Sequence, residues 1–224
     1  MIELDKIYNM DCLEGMKQIP DGTIDCVVTD IPYGVVNRDS NGLRNLDKDA
    51  ADIETFNLSE LTTTLCRKSK GSVYMFCGTE QVSEIRRSMV ELGLSTRVIV
   101  WEKTNPSPMN GEYIWLSGIE LCVFGKKTGA TFNEFCKNTV FRHAVVPDQW
   151  HPTQKPVDLI RRLILASTNE SDVILDPFMG SGTTAIACIK ERRHFIGFEL
   201  SEEYYLKALK RIEAEKSQLT LDFK

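Results

Sequence analysis

No apolar run in the 224 residues approaches the roughly 20 residues needed to cross a bilayer. Residues 1–10 mix acidic and basic side chains where a secretory signal needs an apolar stretch. Neither a membrane protein nor a secreted one is therefore expected, and the expected compartment is the cytoplasm. The cysteines, at positions 12, 26, 66, 77, 122, 136 and 188, are odd in number and never stand at C-x-x-C spacing. That pattern suggests neither a disulfide framework nor a zinc site, and no metal is expected. A basic excess is missing too: the formal net charge is −5 and the pI is near 5.4, which at face value argues against a polyanionic partner. Short basic clusters qualify this, at Arg67-Lys68, Arg86-Arg87, Lys126-Lys127, Arg142-His143 and Arg192-Arg193-His194. Some fit a phosphate-facing cleft, although solvated helix and loop faces account for any one of them. With 42% hydrophobic and 26% charged residues, the chain suits one globular domain over residues 1–224.

What is present begins with an apolar run, residues 24–28, that reads as a buried strand ending in the turn Thr-Asp-Ile-Pro-Tyr-Gly, residues 29–34. Ligands bind at the carboxyl ends of strands in an open α/β sheet. Asp30 can accept a hydrogen bond from an exocyclic amine, the carbonyl of Ile31 can accept a second, and Tyr33 offers a face for stacking a planar base. Gripping both N–H groups favours a pyramidal nitrogen with its lone pair aimed at an electrophile. A purely conformational acidic turn has the same composition.

Downstream, residues 58–68 read as a helix, 71–77 as a strand, 81–92 as an amphipathic helix and 96–101 as a strand, an alternation that implies a mostly parallel sheet. Residues 102–150 break this rhythm, with a strand-like stretch at 119–125. The segment His-Pro-Thr-Gln-Lys-Pro, residues 151–156, leads into a helix over 157–167, with Pro156 suited to its first position. Lys155 ahead of a helix N-terminus opposes the helix dipole, which points to an anionic partner such as a cofactor carboxylate, or else to a solvent-exposed lysine.

A glycine-rich stretch, Asp176-Pro-Phe-Met-Gly-Ser-Gly-Thr-Thr-Ala185, lies between a strand at 173–175 and a helix at 183–190. Its glycines let main chain approach a ligand, and the helix start presents free N–H groups. A strand at 194–198 then ends in Glu199, about where an acidic residue meets ribose hydroxyls. Gly180, Gly182, Ala185 and Glu199 also fit the dinucleotide fingerprint for NAD. Only one strand follows the motif, however, so the sheet must be completed from upstream in a permuted order.

Asp30-Ile31-Pro32-Tyr33 resembles the (Asp/Asn/Ser)-Pro-Pro-(Tyr/Phe/Trp) motif of DNA amino-methyltransferases, and residues 176–184 resemble the S-adenosylmethionine motif of the same enzymes. Residues 151–156 resemble the segment that precedes that motif in one subgroup. Catalytic motif first, recognition insert next and cofactor motif last is the order of the β class, and the resemblance covers nearly the whole chain. It implies a doubly wound α/β fold with a mostly parallel sheet, S-adenosyl-L-methionine as cofactor and DNA as partner, with homodimers frequent. It implies methyl transfer to adenine N6, cytosine N4 remaining open, by Asp30, Ile31, Pro32 and Tyr33. Asp176, Phe178, Gly180, Ser181, Gly182, Thr183 and Glu199 are implied to hold the cofactor, assisted by Lys155 and by Asp11, which is equally suited to capping a helix. Ile31 departs from the usual proline, but the implied acceptor is its carbonyl, and Pro32 still restricts Ile31 to extended backbone. The Pro-Cys nucleophile of cytosine-C5 enzymes is absent. Residues 128–150 are expected to form a short target-recognition insert, and residues 34–57 a lid over the extruded base. A non-catalytic, methyltransferase-like DNA-binding subunit is the reading of another class that Ile31 and the short insert leave open.

Overall fold

The computed structural model describes residues 2–33, 56–108, 111–146 and 154–222, with side chains up to residue 218. Most of the expected lid, residues 34–55, lies outside them, as do residues 147–150 of the insert and 151–153 of the segment before the cofactor motif. In chain order the elements are β1 (Lys6–Asn9), α1 (Cys12–Met16), β2 (Ile24–Asp30), α2 (Leu58–Lys68), β3 (Ser69–Cys77), α3 (Val82–Glu91), β4 (Ser95–Lys103) and β5 (Ile119–Lys126). There follow β6 (Val140–His143), α4 (Val157–Ser167), β7 (Val173–Asp176), α5 (Thr183–Lys190), β8 (His194–Glu199) and α6 (Glu202–Asp222).

The strands form one sheet in the order β1-β8-β7-β2-β3-β5-β4-β6. Neighbours from β1 to β3 pair parallel, and β4 pairs parallel with β6. Among the described strands, only β5 runs against its neighbours, β3 and β4. The expected mostly parallel sheet is observed, and β7 beside β2 is the junction that permutation requires. At that junction the carboxyl ends of β2, β7 and β8 lie together, the position at which open α/β sheets bind ligands.

Strand residues alternate between two apolar layers, as the period of two demands. Cys26, Val28, Tyr74 and Phe76 point into the layer under α4, α5 and α6, with Leu163, Ala187, Ala208 and Ile212. Val27, Val73 and Met75 point the other way, against Met16, Leu61, Leu65, Ile85 and Met89 of α1, α2 and α3. Central strands buried on both faces explain why residues 24–28 read as an unbroken apolar run. Asn57 caps α2 by accepting from the main-chain N–H of Glu60 at 2.9 Å. Pro156 is the residue just before α4 rather than its first residue, with extended backbone at φ −60° and ψ 132°.

The expected recognition insert is in part sheet. Val140–His143 is the edge strand β6, with Phe141 buried under the guanidinium of Arg162, 4.0 Å from the ring centre. Among the described residues no helix is long and apolar enough to cross a membrane.

Candidate active site

A cavity of about 260 Å³ opens at the β2/β7 junction. Its wall contains every residue expected at the site except Gly182. Gly182, with φ at +77°, is the N-cap of α5, and a Cβ there would stand 3.4 Å from Cβ of Ala208. Its contribution is the left-handed turn that starts the helix, and few other residues adopt such a turn without strain. Gly180 has φ +51°, and its N–H donates to Glu199 Oε2 at 2.8 Å while Ser201 N–H donates to Oε1 at 2.8 Å. Glu199 therefore ties the glycine turn to the start of α6. Burial raises its pKa, and the main-chain donors offset that only in part. Asp11 caps α1 through Leu13 and Glu14 at 2.9 and 3.0 Å and also lines the cavity, so both of its expected uses are open to it. Asp176 is buried and accepts from Thr184 Oγ1 at 2.6 Å, and burial lifts its carboxyl to about 6. Phe178 leans on Phe56, with ring centres 5.4 Å apart.

These features fit S-adenosylmethionine. The positive-φ glycine turn and the start of α5 suit an amino-acid carboxylate. Asp11, Asp176 and Glu199 suit ammonium and ribose hydroxyl groups, and the Phe178 and Phe56 rings suit a nucleobase. From outside the cavity, Arg211 of α6 donates to Ser181 O at 2.9 Å and to Thr183 Oγ1 at 3.1 Å, bracing the turn.

At the other end of the cavity, Asp30 sits among charges. Tyr33 donates its hydroxyl hydrogen to Oδ1 at 2.7 Å, and the ammonium of Lys155 donates to Oδ2. Lys155, only 5% exposed, also pairs with Glu120 Oε2 at 3.0 Å, and Lys103 pairs with Glu120 Oε1 at 2.8 Å. The anionic partner expected of Lys155 is thus a pair of protein carboxylates. Burial raises the Asp30 carboxyl above the ordinary value, Lys155 offsets this in part, and Glu120 adds to it. Burial opposes the charge on Lys155, but Asp30 and Glu120 outweigh it and hold the ammonium above the usual lysine range. For Glu120, burial is outweighed by Lys155 and Lys103, which keep its carboxyl low.

Ile31 has a physical reason to replace proline. Its N–H donates to Phe76 O at 3.1 Å and its side chain is 2% exposed, packed in the apolar layer that holds Leu61 and Met75. Proline has no N–H to give. Ile31→Pro is expected to lower stability by roughly 2 kcal/mol, from one lost hydrogen bond and a partly emptied core site. Urea denaturation measures it, and an unchanged midpoint would count against this account. Gln81, 6% exposed, holds the turn from outside, its amide donating to Pro32 O at 3.0 Å while its Oε1 accepts from Gly78 N–H at 2.9 Å.

Sequence reasoning missed Glu120, Gln81, Phe56 and Arg211. Phe56 stands as a lone aromatic beside a polar stretch, which is a weak signal, and nothing in the spacing links positions 30, 120 and 155. Several basic clusters proposed for phosphate have protein partners instead: Arg67 and Lys68 pair with Asp21, Arg142 with Glu102, and Arg192 with Glu170.

Residues 112–210 match the family described as DNA methylase. The structure of M1.HpyAVI in complex with S-adenosylmethionine is 30% identical to this chain, with a TM-score of 0.72, over 92% of this chain and 98% of that one. The chain belongs to this DNA methyltransferase family. Relatives of this methyltransferase include the Type II methyltransferases M2.DpnII of Streptococcus pneumoniae, 27% identical over 93% of this chain and 90% of that protein, and M.HinfI of Haemophilus influenzae, 29% identical over 95% and 69%. The cytosine-N4-specific PvuII DNA methyltransferase, 18% identical with a TM-score of 0.72 over 91% of this chain and 84% of that one, shares the fold. This methyltransferase takes its methyl group from S-adenosylmethionine and its substrate is DNA.

Proposed function

We propose that this methyltransferase modifies adenine at N6, on a base turned out of the helix, with Asp30, the Ile31 carbonyl and Tyr33 as the groups that receive it. The observation that carries the reading is a half-buried carboxylate, Asp30, held by Tyr33 and Lys155 in the same cavity wall as the glycine turn. Bound S-adenosylmethionine supplies a sulfonium methyl group that is already electrophilic.

The chain's own groups then do the positioning. Tyr33 presents a ring face to the base, and Asp30 and the carbonyl of Ile31 accept the two N–H groups of the amine. Each carboxylate oxygen has more than one acceptor direction, so Oδ1 and Oδ2 retain capacity beside Tyr33 and Lys155. Attack of the amine nitrogen on that methyl group, with the C–S pair leaving on sulfur, would build positive charge on the nitrogen. The Asp30 carboxylate stabilises that charge and accepts the proton the nitrogen sheds. Asp11, Asp176, Phe178, Gly180, Ser181, Thr183 and Glu199 hold the cofactor, with Gly182 shaping the turn. Residues 128–150, apart from β6, serve target recognition within a single domain. Two copies associate, with the exposed Tyr113, Ile114 and Trp115 supplying apolar surface, and sedimentation at micromolar concentration reads this.

The test is transfer of radiolabelled methyl from S-adenosylmethionine to unmethylated genomic DNA, followed by separation of the nucleosides. Label in N6-methyladenine is the expected result. Label in N4-methylcytosine would replace the base while keeping the residue roles. Cofactor binding without transfer would favour a non-catalytic subunit, which Asp30, Tyr33 and a full glycine turn argue against.

A further inference from the structure

The geometry points to Glu120 as a positioning residue for methyl transfer: it shares the Lys155 ammonium with Asp30 and so keeps the Asp30 carboxylate available to the target amine. The proposal rests on the reading of Asp30 given above. Lys155 stands between two carboxylates, donating to Asp30 Oδ2 and to Glu120 Oε2, and its ammonium lies 5.3 Å from the Phe76 ring centre and 5.7 Å from that of Tyr33. A lysine that belonged to Asp30 alone would cancel the negative charge the reaction uses, and would hold Oδ2 against the incoming N–H groups. Glu120, itself backed by Lys103, shares that cation. Formally, two carboxylates face two ammonium groups, so the cluster is neutral and is able to shift its hydrogen bonds without creating a buried net charge.

Glu120 reaches this place because β5 runs antiparallel to both of its neighbours, β3 and β4. Its first residues, Ile119 and Glu120, lie opposite Glu102 and Trp101 near the carboxyl end of β4, and Leu121 lies opposite Cys77 at the end of β3. Tyr33 closes the group, its hydroxyl 3.5 Å from Glu120 Oε2.

The pH profile reads the proposal, and the groups around Asp30 set its sign. They are Tyr33 on its own turn, Lys155 before α4, Glu120 and Cys122 of β5, Cys77 of β3 and Asp176 of β7. Burial pushes the Cys77 thiol up to about 12, and the Cys122 thiol and the Tyr33 hydroxyl are likewise raised by burial, so these stay neutral. Asp176, lifted to about 6 by burial, titrates nearby in wild type and variant alike. Glu120 raises the Asp30 pKa. Its removal therefore lowers that pKa and carries the acid limb of the rate profile to lower pH.

The experiment measures methyl transfer to unmethylated genomic DNA by the full chain over pH, with saturating S-adenosylmethionine, for wild type, Glu120→Gln and Asp30→Ala. Glu120→Gln is expected to lose roughly 10- to 100-fold in plateau rate, to shift its acid limb downward, and to keep its KM for S-adenosylmethionine. A wild-type plateau and limb with intact cofactor binding would overturn the proposal, and so would a fall in rate with an unmoved limb, which is what general loosening produces. If Gln at 120 prevents folding, seen as lost cofactor binding, Glu120→Asp decides. A several-fold loss of rate together with a moved acid limb, cofactor binding kept, supports the proposal, and a wild-type rate or an unmoved limb overturns it. An active Asp30→Ala would defeat the reading of the catalytic motif itself; an inactive one beside a wild-type Glu120→Gln defeats only the role of Glu120.

Discussion

Replacing Asp30 by alanine is expected to reduce methyl transfer by about 10³-fold or more while leaving S-adenosylmethionine affinity within a few-fold of wild type. On the proposed reading the Asp30 carboxylate faces the developing charge on the amine, so its loss falls on the transition state rather than on cofactor binding. The cofactor groups come from other places: the turn after β7, Glu199 at the end of β8, and Asp11 before α1. Nor does the variant strand a buried cation, because Lys155 still pairs with Glu120 at 3.0 Å. The rate of label transfer and a cofactor-binding titration on the same sample separate these effects, and wild-type turnover would refute the assignment. On the proposed reading, activity of the unmutated protein requires the ionised form of Asp30. Since burial holds its pKa above the ordinary 3.8, the rate is expected to fall as pH is lowered through that raised value, with Asp176 near 6 adding to the decline.

Lys155→Met should show the opposite asymmetry, with a large loss of stability. It leaves Asp30 and Glu120 beside each other with, among the described residues, Lys103 paired to Glu120 as the remaining cation. Breaking a buried pair costs 3–5 kcal/mol, and the side chains of Asp30 and Glu120 remain 22% and 21% exposed, which favours the lower end. The expected loss is about 3 kcal/mol, or roughly 6 to 12 °C in Tm for a chain of this size. With the cation gone, the folded-state pKa of Asp30 climbs further above its unfolded value of about 3.9. A carboxyl raised in this way destabilises fully at neutral pH and is relieved as pH falls toward its unfolded value. Urea denaturation at pH 7 and pH 5 should therefore show the deficit shrinking at the lower pH. A deficit independent of pH would mean that lost packing, not charge, is responsible. The acid limb of activity in this variant moves to higher pH, the reverse of Glu120→Gln, so the two substitutions test one charge cluster from both sides.

The sequence carried a good deal of this site because its pieces are local. The turn at Asp30–Tyr33, the left-handed glycines at 180 and 182 and the acidic residue closing β8 each depend on a few consecutive residues, and their conformations are written in Pro, Gly and the strand or helix beside them. The parallel alternation from β2 through α3 is legible for the same reason. The register of residues 102–150 is not, because its strands are short and their partners distant. Val140–His143 reads as part of an insert until it is seen pairing with Val100–Lys103.

The sequence by itself therefore determined the family, the permuted order of the motifs and the carboxylate at position 30, since each is a short-range pattern or a succession of such patterns. Only the tertiary structure decided what Lys155 faces. Its dipole-opposing place before α4 suggested an anion, or else an exposed lysine, and that signal is local; the identity of the anion is not, because Asp30 lies 125 residues away and Glu120 arrives on β5, which runs antiparallel to both of its neighbours. Charges are brought together by strand direction and sheet order, and neither is encoded in the spacing of the residues that end up in contact.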